Sequence, residues 1–107
     1  MHFDVAKDWG EIDTNGTCLQ GHIKASMQQI KLVFGEPSYI GDIDGKIRCE
    51  WLIEFYDDEE DEYITATIYD WKDDKPIPWV NDWHVGGYTY RAMECIEHEF
   101  NMRGIEV

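Results

Sequence analysis

Residues 47–56 read Ile-Arg-Cys-Glu-Trp-Leu-Ile-Glu-Phe-Tyr. Ile47, Cys49, Trp51, Ile53 and Phe55 alternate with Arg48, Glu50, Leu52, Glu54 and Tyr56. Side chains of a strand point to opposite faces in turn, so this segment has one wholly apolar face and one mostly polar face. That is the pattern of a half-buried antiparallel strand. Six consecutive acids follow, Asp57 to Glu62. Like charges resist burial, so the run reads as a solvated loop. Tyr63 to Trp71 then reads as the returning strand. Ile64, Ala66 and Ile68 mark one face, and Tyr63, Thr65, Thr67, Tyr69 and Trp71 mark the other.

Beyond this hairpin, Lys72 to Asp82 is a loop with Pro76 and Pro78. Trp83 to Val85 is expected as a short third strand, broken by Gly86-Gly87. A helix is expected from Tyr90 to Met102, with Thr89 as N-cap. Its inward stripe would be Ala92/Met93, Ile96 and Phe100, and Gly104 suits its end. Upstream, Ser26 precedes Met27, Ile30 and Val33/Phe34 at helical spacing, and Gln29 completes a capping box. Gly35 and Pro37 close that helix. Asp44-Gly45 reads as a turn, and Thr17 to Ile23 as a short strand. Asp4 to Ile12 is either a short helical turn or an arm, and Asp13-Thr14-Asn15-Gly16 is turn chemistry. The expected fold is α+β: an antiparallel sheet of three to four strands with two helices packed on one face. Residues 1–107 form one domain, with 1–16 a candidate N-terminal arm.

The chain carries nine Lys+Arg against 23 Asp+Glu, a formal charge of −14. Gripping nucleic-acid phosphates needs the opposite balance, so direct nucleic-acid binding is not expected. Cys18, Cys49 and Cys95 are an odd set without short spacing, and no disulfide framework is readable. Met1 to Gly10 lacks the apolar core of a signal peptide, and no apolar run has membrane-span length. A reducing cytoplasm is the simplest compartment.

P-loop, dinucleotide and nucleophile-elbow motifs are absent from the sequence, so no enzyme and no cofactor is expected. Glu94 and His98 stand four apart on the last helix, a spacing that suits a shared metal but is commoner as an exposed pair. Asp42-Ile43-Asp44-Gly45 faintly resembles a calcium loop, but Ile53 stands where the last acidic ligand belongs. Two segments carry more. Trp83-His84-Val85-Gly86-Gly87 leads into a helix start, where bare backbone N–H groups and the helix dipole favour an anion. His84 would donate to the same anion. The alternative is a plain strand-to-helix turn with a structural histidine. In Tyr69-Asp70-Trp71-Lys72, the two rings lie opposite Ile64, Ala66 and Ile68, and suit stacking on a base. Lys72 would meet a phosphate, and Asp70 a base edge or hydroxyl. The alternative there is a second small core or a dimer interface.

The strings Phe34-Gly35-Glu36-Pro37, Lys46 to Phe55, Thr67-Ile68-Tyr69-Asp70-Trp71-Lys72 and Trp83-His84-Val85-Gly86-Gly87 together resemble a family of small phage proteins. The resemblance spans Thr17 to Phe100. It implies a phage protein in the cytoplasm of an infected bacterial host, acting against host immunity. Some such proteins are sponges for nucleotide signals, such as cyclic dinucleotides or cyclic ADP-ribose derivatives. Others are acidic inhibitors of nucleases. The leading expectation is a sponge that holds a small nucleotide uncleaved. Tyr69 and Trp71 would stack on the base. Asp70 would hold a hydroxyl or base edge. Gly86, Gly87, Lys72, His84 and Arg91 would gather near the helix start around the phosphate. Sponges often bind at subunit interfaces, so a homo-oligomer is implied. The runner-up is an acidic inhibitor whose carboxylates occupy a nucleic-acid site on a host defence nuclease or DNA-binding protein.

Overall fold

The computed structural model describes residues 1–8, 10–41 and 47–107. The Asp44-Gly45 turn and the calcium-loop likeness of Asp42 to Gly45 lie outside the described residues. In chain order the elements are β1 (His2–Val5), β2 (Cys18–Lys24), α1 (Met27–Phe34), β3 (Tyr39–Ile40), β4 (Cys49–Asp57), β5 (Glu62–Tyr69), a 3-10 turn (Ile77–Trp79), β6 (Asp82–Gly87) and α2 (Arg91–Met102).

The fold is α+β, and every strand pairing is antiparallel. The sheet has six strands rather than three or four, in the order β1-β4-β5-β6-β2, with β3 also paired to β4. The strands missed in the sequence are short edge pieces. β1 is held by its register on β4, His2 opposite Tyr56 through Val5 opposite Ile53, and β3 is two residues long. Segments that short have too few alternating positions to announce themselves.

The β4–β5 hairpin follows the alternation read in the sequence. Trp51 faces Ile68, Ile53 faces Ala66 and Phe55 faces Ile64. All six are buried beneath the helices. The acidic run is tighter than a loose loop. β4 extends to Asp57 and β5 starts at Glu62, and Asp61 closes the turn in a left-handed conformation, φ 50°. Asp57 Oδ1 accepts from the N–H groups of Glu59 and Glu60, and Tyr56 donates to Asp61 at 2.6 Å. The turn is thus organised by two of its own acids.

Helix α1 carries the expected capping box, with Gln29 N donating to Ser26 Oγ at 3.1 Å and Ser26 N to Gln29 Oε1 at 3.0 Å. Two tryptophans pin it to the sheet. Trp83 donates its indole N–H to Ala25 O at 3.0 Å, just before the helix, and Trp51 to Gly35 O at 2.9 Å, just after it. Both indoles are fully buried and pack edge to face, 5.4 Å between centroids. A buried indole N–H needs such an acceptor, so these bonds fix α1 at both ends. Phe34 at its end meets Phe3, Phe55 and Phe100. Both helices therefore share one face of the sheet, as expected. No helix among the described residues is long and apolar enough to cross a membrane.

Gly86 and Gly87 do not break a strand. They lie inside β6, buried, with Gly87 opposite Ala66 of β5 and Cys18 of β2. The reason is packing. A Cβ on Gly87 would stand 2.4 Å from Ala92 Cβ of α2 and 3.0 Å from Thr65 O. The bare backbone lets α2 lie directly on the strand.

Candidate binding site

β1 lies along one edge of β4, and β2 forms the opposite edge of the sheet. The chain between them must cross a face, and α1 and α2 hold the other. Residues 10–17 accordingly run over the helix-free face. Ala6 N donates to Leu52 O at 2.8 Å, and Tyr88 Oη donates to Asp13 O at 2.7 Å, which ties the crossing segment down at two points. This explains Leu52, the one aliphatic side chain on the polar face of β4. It is 2% exposed beneath a cavity walled by Gly10, Ile12 and Thr14.

Next to this crossing is a cleft of about 170 Å³. Thr14 and Thr17 of the crossing segment form one side. Glu50 of β4, Thr67 of β5 and Gly86 of β6 supply its sheet floor, and Tyr69 and Trp71 stand on the other side. A Cβ on Gly86 would come within 2.7 Å of Thr67 Oγ1 and 3.4 Å of Tyr69, so this glycine keeps the floor low.

Tyr69, Trp71 and His84 form one aromatic group. Their ring centroids are 5.4 Å apart for Tyr69–His84, 6.3 Å for Trp71–His84 and 6.4 Å for Tyr69–Trp71. His22, directly opposite His84 across the β2–β6 ladder, extends the group with a 4.5 Å centroid distance. Trp71 is 40% exposed and presents ring surface to solvent. Lys72 adopts a left-handed backbone, φ 51°, and its Nζ lies 5.6 Å from the Trp71 centroid, within cation–π range.

Burial, and the neighbouring His22, hold His84 below its ordinary imidazole value; Asp82 opposes this in part. His84 is therefore a neutral ring at neutral pH, suited to stacking more than to pairing with an anion. Burial, with Glu50 and Cys18 nearby, raises Tyr69, so its phenol keeps its proton.

The structure thus gathers Tyr69, Trp71, Lys72, His84 and Gly86 on the helix-free face. Three residues expected with them lie elsewhere. Asp70 is fully buried. Its Oδ1 accepts from the backbone N–H groups of Arg48 (2.8 Å) and Cys49 (2.9 Å), and its Oδ2 from Arg48 Nε at 2.9 Å. That carboxylate locks the open end of the hairpin and faces no ligand. Gly87 points at α2. Arg91 starts α2 and is paired with Asp57 at 2.7 Å, at the acidic turn. The helix start thus lies past the far end of β6 from His84 and on the opposite face. The phosphate cradle read from the sequence does not assemble there.

The cleft also contains residues that sequence reading passed over. Glu50 was legible in principle: it shares a face with Tyr69 once the hairpin register pairs the two positions. Thr14 and Thr17 carry no such signal, because only the crossing brings them over the sheet. Glu94 and His98 gain no further ligand: no group of three or more His, Cys, Asp or Glu among the described residues could hold a metal.

The fold and cleft describe an α+β domain with one face sealed by helices and the other bearing an aromatic-sided groove. No family model matches the chain, and neither the curated proteins nor the solved structures give a match.

Proposed function

We propose that this protein binds a small nucleotide and holds it without cleaving it, with the base in the cleft against Tyr69 and Trp71. The observation that supports this most is the convergence of Tyr69, Trp71 and His84 into one aromatic group beside a cleft. Exposed aromatic surface beside a concave, hydroxyl-bearing floor suits a planar heterocycle. Lys72, already poised over Trp71, is the cation for the ligand's phosphate, in place of the glycine pair and Arg91. The setting that the sequence resemblance suggests is a phage protein that sequesters a nucleotide immune signal in the cytoplasm of its bacterial host. Thr17 and Cys18 bring the cleft to the sheet edge at β2, where a second copy would extend it, so the proposal includes a homo-oligomer.

The test is thermal melting with a panel of cyclic dinucleotides and cyclic ADP-ribose derivatives. A ligand at a hundred times its dissociation constant adds about 2.7 kcal/mol. Trp71→Ala should melt within a few degrees of the parent, as an exposed change, and lose the ligand-induced shift. A panel that shifts nothing would defeat the proposal.

One feature favours the acidic-inhibitor reading instead. Asp58, Glu59 and Glu60 are exposed at the crown of the β4–β5 turn, in a chain of charge −14. Such an apex suits insertion into a basic groove.

A further inference from the structure

The hydrogen-bonding side chains that line the cleft include the hydroxyls of Thr14, Thr17, Thr67 and Tyr69 and one carboxylate, that of Glu50. Glu50 stands on β4 directly opposite Tyr69 of β5, so its side chain shares the helix-free face with the aromatic group. Hydroxyls of Thr14 and Thr67 donate or accept as required, and that of Thr17, which donates to Thr14 O at 2.8 Å, can still accept. A carboxylate only accepts, and its two oxygens offer about four lone-pair sites, so it can serve a ligand in addition to its contacts within the protein. It therefore rewards a ring edge with adjacent N–H donors and penalises one that presents an acceptor.

The nucleobases differ sharply on this point. Guanine places N1–H and the 2-amino group side by side, which matches two carboxylate oxygens. Adenine sets its N1 acceptor beside its amino group. Cytosine does the same with N3, and uracil flanks its single N–H with two carbonyl oxygens. Adenine or cytosine would bring a lone pair against Glu50 in a site partly removed from water, where such a clash is costly. The general charge works the same way, since a strongly acidic chain favours the donor-rich edge of a ligand over its phosphate.

We infer that the cleft is selective for guanine, read by Glu50 from the floor while Tyr69 and Trp71 pack on the ring. This rests on the nucleotide-binding proposal and names its ligand class. Tyr69 strengthens the arrangement: as a protonated phenol beside Glu50 it does not add a second negative charge.

Isothermal titration with GMP, IMP and AMP tests it. The two hydrogen bonds to a charged acceptor should make GMP at least about tenfold tighter than AMP. IMP keeps N1–H but lacks the 2-amino group, so it should fall between them. Glu50→Gln retains size but puts an amide donor against the guanine edge. Its GMP affinity should drop and its AMP affinity rise as the clash with adenine N1 is relieved, bringing the two within about threefold of each other. Glu50 is on the helix-free face, and urea melting of the variant checks that it folds. Equal GMP and AMP affinities in the parent overturn the guanine assignment and leave nucleotide binding standing. So does a preference that survives in Glu50→Gln. If none of the three nucleotides binds, the guanine assignment falls, while the nucleotide reading beneath it is decided by the cyclic-nucleotide panel.

Discussion

Gly87→Ala adds a single methyl group, and its consequence can be worked out from the contacts around it. The new Cβ would stand 2.4 Å from Ala92 Cβ and 3.0 Å from Thr65 O. Neither neighbour can rotate away. Ala92 Cβ is fixed to the backbone of α2, and Thr65 O belongs to the sheet. Normal contact between carbons is 3.5–4.0 Å, so α2 would have to lift by about 1 Å along its first turns. Ala92, Met93, Cys95, Ile96 and Phe100 all seal the core from that helix. Overpacking of this kind costs about 1–3 kcal/mol, and the rigidity of both neighbours puts it at the upper end. For a domain of this size, about 3 kcal/mol is a large part of a total near 5–15 kcal/mol, and lowers the melting temperature by roughly 10–20 °C. Urea unfolding followed by tryptophan fluorescence measures the loss. Gly86→Ala is the control. Its Cβ meets the rotatable Thr67 hydroxyl, so the stability cost should be smaller, while the cleft floor rises and nucleotide affinity falls. A Gly87→Ala protein as stable as the parent, to within about 0.5 kcal/mol, would refute the seating of α2 on β6. Lost affinity with stability intact would point back to a glycine-built anion cradle.

Trp51→Ala empties a fully buried site and removes the bond to Gly35 O, so it should cost about 3–5 kcal/mol and leave little folded protein by circular dichroism. Replacing Asp58, Glu59 and Glu60 with Ser and Asn should change stability by under about 0.5 kcal/mol and leave nucleotide binding intact; a loss of inhibitory activity against a host nuclease would favour the acidic-inhibitor reading. The lowered His84 value has a defined sign. The unfolded imidazole takes up a proton near pH 6.5 while the folded one resists it, so His84 favours folding above that pH and this support is lost as pH falls through the folded value. Melting temperatures from pH 7.5 to 5 should fall less steeply for His84→Phe than for the parent, and identical slopes would show that His84 is not held neutral.

The β4–β5 hairpin, the α1 capping box and the burial of Trp51 beneath the helices were all legible in the chain, as was the shared side of Tyr69 and Trp71. These are local properties: a period of two, a Ser three residues before a Gln, an apolar stripe of period near 3.6. Each is decided by residues within a few positions of one another. Asp70 marks the boundary. The alternation of β5 places it on the side of Ile64, Ala66 and Ile68, away from Tyr69, but only the fold supplies its partner, Arg48, 22 positions earlier. A charged residue at the end of a strand reads as exposed until that partner is known.

The glycine pair and the cleft belong wholly to the tertiary structure. Two adjacent glycines have turn propensity in any sequence, and what holds them in a central strand is the approach of α2, which leaves no volume for a side chain at Gly87. Thr14 and Thr17 enter the cleft only because β1 and β2 occupy opposite edges of the sheet and the chain between them must cross the face that the helices leave open. Local sequence sets which face each side chain takes along its own strand. Which strands become neighbours, and what lies across them, is decided by burying one apolar face in common, and that condition is met only by the whole chain at once.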